Sequence, residues 1–355
     1  VLFGFLEWDM HSISIAGQVY SIQNCFIIAE VAQGHDGSLG FAHAFIDAVA
    51  RTGANAIKFQ THIAHAESSD LENWRVKFSL QDASRYDYWK RMEFTQEQWA
   101  GLKQHCNERG LTFLSSPFSL EAIDLLERVG MPVWKIASGE VSNPILLDRI
   151  IKTGKPILLS SGMSSIQEMD RTIVYIKSAN IPFAVLQCTS AYPCPPEKWG
   201  LGVIPLFRQR YDCPVGLSDH SGTIYSGLAA AAIGIDVLEA HITLSRDMFG
   251  PDVPASITTE EFTTMVNGIR QIQTSINTPF DKDQFSKDSE SLRNLFTKSL
   301  VAKVDIPQGS LLCEENLTDR KPGTGIPATK LKDLIGRTVK RTLRAGEFIA
   351  YKDLE

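Results

Sequence analysis

His220 directly follows the run CPVGLSD (213–219), and His241 lies within VLEAHIT (237–243). If these runs are neighbouring strands, the two imidazoles leave them at one level and can converge on one ion. Two histidines with open positions suit a divalent Lewis acid such as Mn²⁺, Mg²⁺ or Fe²⁺ better than a closed structural zinc. Taken alone, the pair reads equally well as hydrogen-bonded core or general-base histidines. Lys58 and Lys135 each sit inside an apolar run, NAIKFQT (55–61) and VWKIAS (133–138). A single lysine there suits a Schiff-base nucleophile. Two of them, with Ser116, Ser138, Ser160 and Ser218, suit a cradle for a phosphate and a carboxylate, which want positive charge and many short donors. The structural alternative is an ion network of the lysines with Glu30 and Glu140. The other six histidines are expected to be structural.

Positioning these groups takes a regular frame. Eight β-rich runs recur between residues 25 and 243: 25–32, 55–61, 112–117, 133–138, 156–162, 183–189, 213–219 and 237–243. Each opens almost continuously apolar, as strands covered on both faces do. The segments between them mostly have helical patterning and stop signals at Gly53, Gly110, Gly130, Gly154, Asn180 and Gly234. Eight such alternations predict an α/β fold, a (β/α)8 TIM barrel over 1–280, rather than a doubly wound open sheet. In that fold the carboxyl ends of the strands carry the chemistry. All eight of those ends are polar here, at a desolvation cost that packing alone does not explain. About fifty residues separate the second and third strands. Such an insertion predicts a lid or wall over the site, or else a surface decoration or oligomer contact. Charged, strand-free sequence predicts a linker over 281–297. Short runs broken by PQG, PGTG and AGE turns predict a small β-rich domain over 298–355, a size that supports little core of its own and so predicts docking onto a barrel.

Composition narrows the function classes. The 355 residues are 43% hydrophobic and 21% charged, which is globular rather than disordered. A formal net charge of -6 offers no electrostatic footprint for nucleic acid or an anionic membrane. No apolar run is long enough to span a bilayer. The opening VLFGFL lacks the basic start and cleavage site of a signal peptide. Six scattered cysteines without a CxxC pair predict reduced thiols in a cytoplasmic protein.

The segments AEVAQGHDGSLGFAHAFIDAVARTGANAIKFQT, LTFLSSPFS, VWKIASGE, PILLSSGMSS, LQCTSAYPCPPE, VGLSDHSG, LEAHITL and GPDVPAS resemble the sialic acid synthases. RKPGTGI and IGRTVKRTLRAGE resemble the antifreeze-like (SAF) domain that follows their barrel. The resemblance runs in order over about residues 20–355. It implies a metal-dependent condensation of phosphoenolpyruvate with an N-acyl mannosamine-type sugar, releasing phosphate and a nonulosonic acid. By position, His220 and His241 would hold the metal, Mn²⁺ first, with Mg²⁺ or Co²⁺ as alternatives. Lys58, Ser116, Lys135, Ser138, Ser160, Ser190 and Ser218 would hold phosphoenolpyruvate. Gln60, Glu140, Tyr192 and Asp252 would face the sugar, and Glu30 would lie near the attacking water as candidate base, with Glu140 as the second catalytic carboxylate. The family also implies a domain-swapped homodimer in which an arginine of the small domain reaches the partner's sugar.

The sequence departs there: Lys321 directly precedes Pro322-Gly323, with Arg320 one residue earlier, and lysine lacks the planar fork. AQGHDG also differs from the commoner AEIGxNHxG pattern. Ser138-Gly139-Glu140 is closer to the neuraminic and legionaminic synthases than to the pseudaminic type. Two rival functions stay open at this level. One is a barrel aldolase or sugar-phosphate isomerase, and the other is a non-catalytic glycan- or ice-binding module.

Overall fold

A computed structural model describes residues 11–74 and 76–355; the VLFGFL segment lies outside the described residues. The chain divides into two compact units, Val1–Thr278 and Pro279–Glu355.

The first unit opens with an antiparallel hairpin, β1 (Ile13–Ile15) and β2 (Gln18–Tyr20), which has no counterpart among the predicted elements. The eight predicted strands follow: β3 (Phe26–Ala32), β4 (Ala56–Thr61), β5 (Thr112–Pro117), β6 (Trp134–Ile136), β7 (Ile157–Ser160), β8 (Phe183–Cys188), β9 (Val215–Asp219) and β10 (Val237–Thr243). They pair in parallel in the order β5-β4-β3-β10-β9-β8-β7-β6, so the first strand meets the last and the sheet curls into a nearly closed barrel. Nearly every strand residue is buried, because helices cover the outside and side chains fill the inside. A two-residue strand, β11 (Ile257–Thr258), pairs in parallel with the end of β10 at Ile242 and Thr243.

All six predicted helix stops fall at positive φ, from 54° at Asn180 to 97° at Gly234. The helix starts carry side-chain caps as well. Ser165 and Thr258 each form a reciprocal capping box with the glutamate three residues on. The parallel strand period of two sets the site: residues i and i+2 share a face. Lys58 and Gln60 on β4, and Glu239 and His241 on β10, are therefore same-face pairs, while Ile57, Phe59, Leu238 and Ala240 face the other way.

The insertion after β4 contains helices Ala64–Glu67 and Arg85–Met92. Arg91 fastens it down by donating to the Asp36 side chain at 2.8 Å and to Asp82 at 2.8 Å. Gly37 lets the Arg91 backbone approach: a Cβ there would stand 2.3 Å from the Arg91 carbonyl oxygen.

The second unit begins with two short helices, Lys282–Asp288 and Glu290–Phe296, in the segment expected to be a linker. Its one ladder is β12 (Ser299–Ala302) with β13 (Leu317–Arg320), antiparallel, supplemented by isolated bridges such as Ile306 with Leu343. Leu300, Ile306, Leu317, Val339 and Leu343 belong to a small core of its own.

Candidate active site

A cavity of about 650 Å³ opens at the carboxyl ends of the barrel strands. That is a usual size for a small-molecule site. All fourteen barrel residues singled out from the sequence line it: Glu30, Lys58, Gln60, Ser116, Lys135, Ser138, Glu140, Ser160, Ser190, Tyr192, Ser218, His220, His241 and Asp252. Arg320 and Lys321 belong to the second unit, where both are exposed. The Lys321 ammonium lies 5.1 Å from the Phe296 ring centroid.

The floor is a buried ion network. Lys58 Nζ stands 2.8 Å from Glu30 Oε2 and 3.7 Å from Glu239 Oε2. Lys135 Nζ stands 3.3 Å from Glu239 Oε1, which also accepts from Ser218 at 3.0 Å. Lys58 donates to Ser116 Oγ at 3.2 Å. The expected alternative of an ion network is thus present in part, but the second carboxylate is Glu239. Glu140 instead accepts from the Asn143 amide at 2.7 Å. Glu239 faces inward because it sits two residues before His241 on the same strand, a signal the sequence carried.

The network sets the charges. Burial disfavours the Lys58 ammonium, but Glu239 and Glu30 outweigh it and raise its pKa. Burial wins at Lys135, which is lowered despite Glu239. Burial pushes the Glu30 carboxyl up to about 7, with Lys58 working against it. At Glu239 burial also raises, but Lys135 and Lys58 prevail and hold it below the usual carboxylate range. Two ammonium and two carboxylate groups balance one another when all are ionised.

His220 and His241 do converge, with ring centroids 5.0 Å apart. His220 Nδ1 meets the Thr189 carbonyl oxygen at 2.9 Å, which fixes the ring, and Nε2 meets the Tyr192 hydroxyl at 3.1 Å. Burial, then His220 and the two lysines, hold His241 well below the ordinary histidine range, so it is neutral, the form that ligates metals. Its Nδ1 is buried without a hydrogen-bond partner, the kind of orphan atom that a bound ion satisfies. Among the described residues no group of three or more His, Cys, Asp or Glu is arranged to hold an ion. The donor set therefore fits a divalent ion that draws its remaining ligands from substrate and water rather than a protein-enclosed one.

Ser160 Oγ is likewise buried without a partner. Ser138 and Ser190 close on Gly162, where an added Cβ would lie 2.2 and 2.5 Å from their hydroxyl oxygens. Gln60 donates to Glu30 Oε1 at 2.8 Å.

One of the histidines expected to be structural is in the site. His62 lines the cavity, stacked between Trp89 (3.9 Å, 18°) and Phe118 (4.6 Å, 10°). Its Nδ1 meets Glu67 Oε1 at 2.6 Å, and Nε2 meets the Gln33 amide nitrogen at 2.6 Å. His62 follows Gln60 by two, one residue past the end of β4, a position that by itself did not set it apart from a structural histidine. Its neighbours Glu67, Glu72, Arg85 and Trp89 come from the insertion and carried no pattern that would have found them. The insertion is thus a wall of the cavity, as one of its two expected readings had it. Cys188, expected only as one of six reduced thiols, also lines the cavity, 3.5 Å from Ser138 Oγ.

Comparison with known proteins agrees with this architecture. The model of the NeuB family matches residues 45–280, and that of the SAF domain matches 297–355. The chain is 33% identical to the N,N'-diacetyllegionaminic acid synthase of Campylobacter jejuni, over 92% of this chain and 99% of that one. It is also 33% identical to the human N-acetylneuraminate-9-phosphate synthase, over 92% and 91%. Among solved structures, the N-acetylneuraminic acid synthetase of Leptospira borgpetersenii superposes with a TM-score of 0.70 at 28% identity, covering 80% of this chain and 98% of that one. Relatives named as synthases leave the non-catalytic module without support. The barrel, its polar mouth and these likenesses together assign the chain to the NeuB family of acid synthases, with a SAF domain after the barrel.

Proposed function

We propose that this protein condenses phosphoenolpyruvate with an N-acyl mannosamine-type sugar to give a nonulosonic acid of the sialic or legionaminic kind, releasing phosphate. The observation that carries the reading is the joint occupation of one cavity by Lys58, Lys135, five serines and the His220–His241 pair. Phosphoenolpyruvate would meet the two ammonium groups and the hydroxyls of Ser116, Ser138, Ser160, Ser190 and Ser218. His220 and His241 would hold a divalent ion, Mn²⁺ first, and such an ion supplies Lewis acidity to an aldehyde oxygen. Gln60, Glu140, Tyr192 and Asp252 would hold and orient the sugar.

The methylene carbon of phosphoenolpyruvate attacks the aldehyde carbon, its π pair forming the new C–C bond, and the resulting alkoxide is balanced by the proton that the adding water releases through Glu30. The former enol carbon is left electron-deficient. Water adds to it, giving its proton to Glu30, which Gln60 and Lys58 hold in place. The tetrahedral adduct then breaks its carbon–oxygen bond to phosphate, and Lys58 and Lys135 stabilise the departing anion. One rival keeps a specific observation in its favour: Lys135, with its pKa lowered by burial, has the electrostatics of a Schiff-base nucleophile.

The family resemblance supports a swapped homodimer in which Arg320 or Lys321 reaches the partner's sugar. The contact of Lys321 with Phe296 favours Arg320 for that task, and sedimentation at the mass of two chains is the check on the dimer. Six unpaired cysteines, five of them buried, support a reducing, cytoplasmic setting.

Mass spectrometry of the reaction tests the whole reading. The expected product has the mass of the acceptor plus pyruvic acid, formed with equimolar phosphate. A lysine adduct trapped by borohydride, with no phosphate released, would replace this reading with an aldolase.

A further inference from the structure

If the enolpyruvate sits over the lysines and the aldehyde beside the histidines, the sugar's far end reaches the insertion wall. That wall contains a buried acceptor with nothing to accept. Glu67 lines the cavity, its side chain is 8% exposed, and its Oε1 is engaged with His62. Its Oε2 is buried without a hydrogen-bond partner. Such an oxygen is costly in isolation and is satisfied by a donor, a hydroxyl or an amide N–H. A phosphate offers only further acceptor oxygens and negative charge.

The basic group that the described residues supply to this wall, Arg85, has its charge offset by an ion pair with Glu72, although its buried Nε makes no hydrogen bond. Arg85 Nε lies 2.6 Å from Glu72 Oε1, and its guanidinium carbon stands 4.8 Å over the Trp89 ring. Glu72 Oε2 in turn accepts from the Trp89 indole at 3.0 Å. The rest of the wall is the stacked Trp89–His62–Phe118 face, which favours carbon-rich substituents over a hydrated dianion.

We propose that the wall formed by His62, Glu67, Trp89 and Phe118 selects an acceptor sugar whose far end is uncharged, a hydroxyl, deoxy or acylamino group, and discriminates against a sugar phosphate. The proposal rests on the synthase reading above and narrows its substrate class.

The test measures phosphoenolpyruvate consumption with Mn²⁺ and three acceptors: N-acetylmannosamine, N-acetylmannosamine 6-phosphate, and 2,4-diacetamido-2,4,6-trideoxymannose. The wild-type protein is expected to use at least one uncharged acceptor with a kcat/KM at least about tenfold above that of the phosphate. Glu67→Gln, which removes the charge and adds a donor, is expected to narrow that ratio several-fold while the KM for phosphoenolpyruvate stays within about twofold. A wild-type protein that prefers the 6-phosphate, or uses it equally well, overturns the proposal while leaving the synthase reading intact. A Glu67→Gln ratio equal to that of wild type overturns the assignment to Glu67. Absence of turnover with all three acceptors overturns both readings together.

Discussion

Lys58 is buried to within 2% of full enclosure and shares its charge between Glu30 and Glu239. A buried ammonium of this kind is tolerable only with its carboxylates in place, since removing one partner leaves an uncompensated charge. Lys58 is thereby held as an ammonium where an anionic substrate would arrive, Lys135 is lowered by its burial, and the Glu30 carboxyl is raised to about 7. Glu30→Gln is therefore expected to cut kcat by about a hundredfold or more, without raising the KM for phosphoenolpyruvate. The anionic ligand loses a competitor for Lys58. The pH profile carries the sign. A base with its pKa raised to about 7 in the free protein works only when deprotonated, so wild-type kcat/KM is expected to fall as pH drops through that value. Stopped-time assays on both proteins check the claim, and near-normal turnover of Glu30→Gln contradicts it. At this scale the lysines, serines and histidine pair were legible from residue type at strand ends. Glu239 was legible but read as unassigned, and His62 was read as structural because nothing near it in sequence marks a site.

The strands and their connecting loops turn residue type into geometry. Parallel strands with a period of two put Lys58 with Gln60, and Glu239 with His241, on the cavity side, so a one-residue register slip would turn these polar groups against the covering helices and put Ile57, Phe59, Leu238 and Ala240 into the cavity. The loop after β7 brings Gly162 against Ser138 and Ser190, with room for hydrogen and no more. Gly162→Ala is expected to push both hydroxyls away and raise the KM for phosphoenolpyruvate by about tenfold, with the barrel still folded. Calorimetry together with initial rates separates this from unfolding, and an unchanged KM would remove the two serines from the cradle. The eight strands and six helix stops were legible because burial on both faces gives continuous apolar runs and the stops need positive φ. The hairpin at Ile13–Tyr20 was missed because three-residue strands leave too little alternation to recognise. The insertion's length was legible, and its placement as a cavity wall was one of two readings. Which of its side chains face inward depends on tertiary contacts such as the Arg91 clamp.

At the scale of the whole molecule, two units follow one another, each with its own hydrophobic core. The barrel's core surrounds a polar mouth whose four floor charges balance, so the net charge of -6 is carried elsewhere on the chain. Among the described residues no helix is long and apolar enough to cross a membrane. The small unit was legible through its turns, but its sparse ladder was not, since most of its backbone pairs through single bridges. Everything proposed for the reaction depends on the two imidazoles holding an ion beside the lysine cradle. Titration of Mn²⁺ into metal-stripped protein, followed by electron paramagnetic resonance alongside turnover, tests this most directly. The expected result is about one tightly held ion per chain, with turnover restored in proportion, and both lost in His220→Ala and His241→Ala while phosphoenolpyruvate still binds. Full turnover by the stripped protein, or unchanged Mn²⁺ binding by His241→Ala, would contradict it.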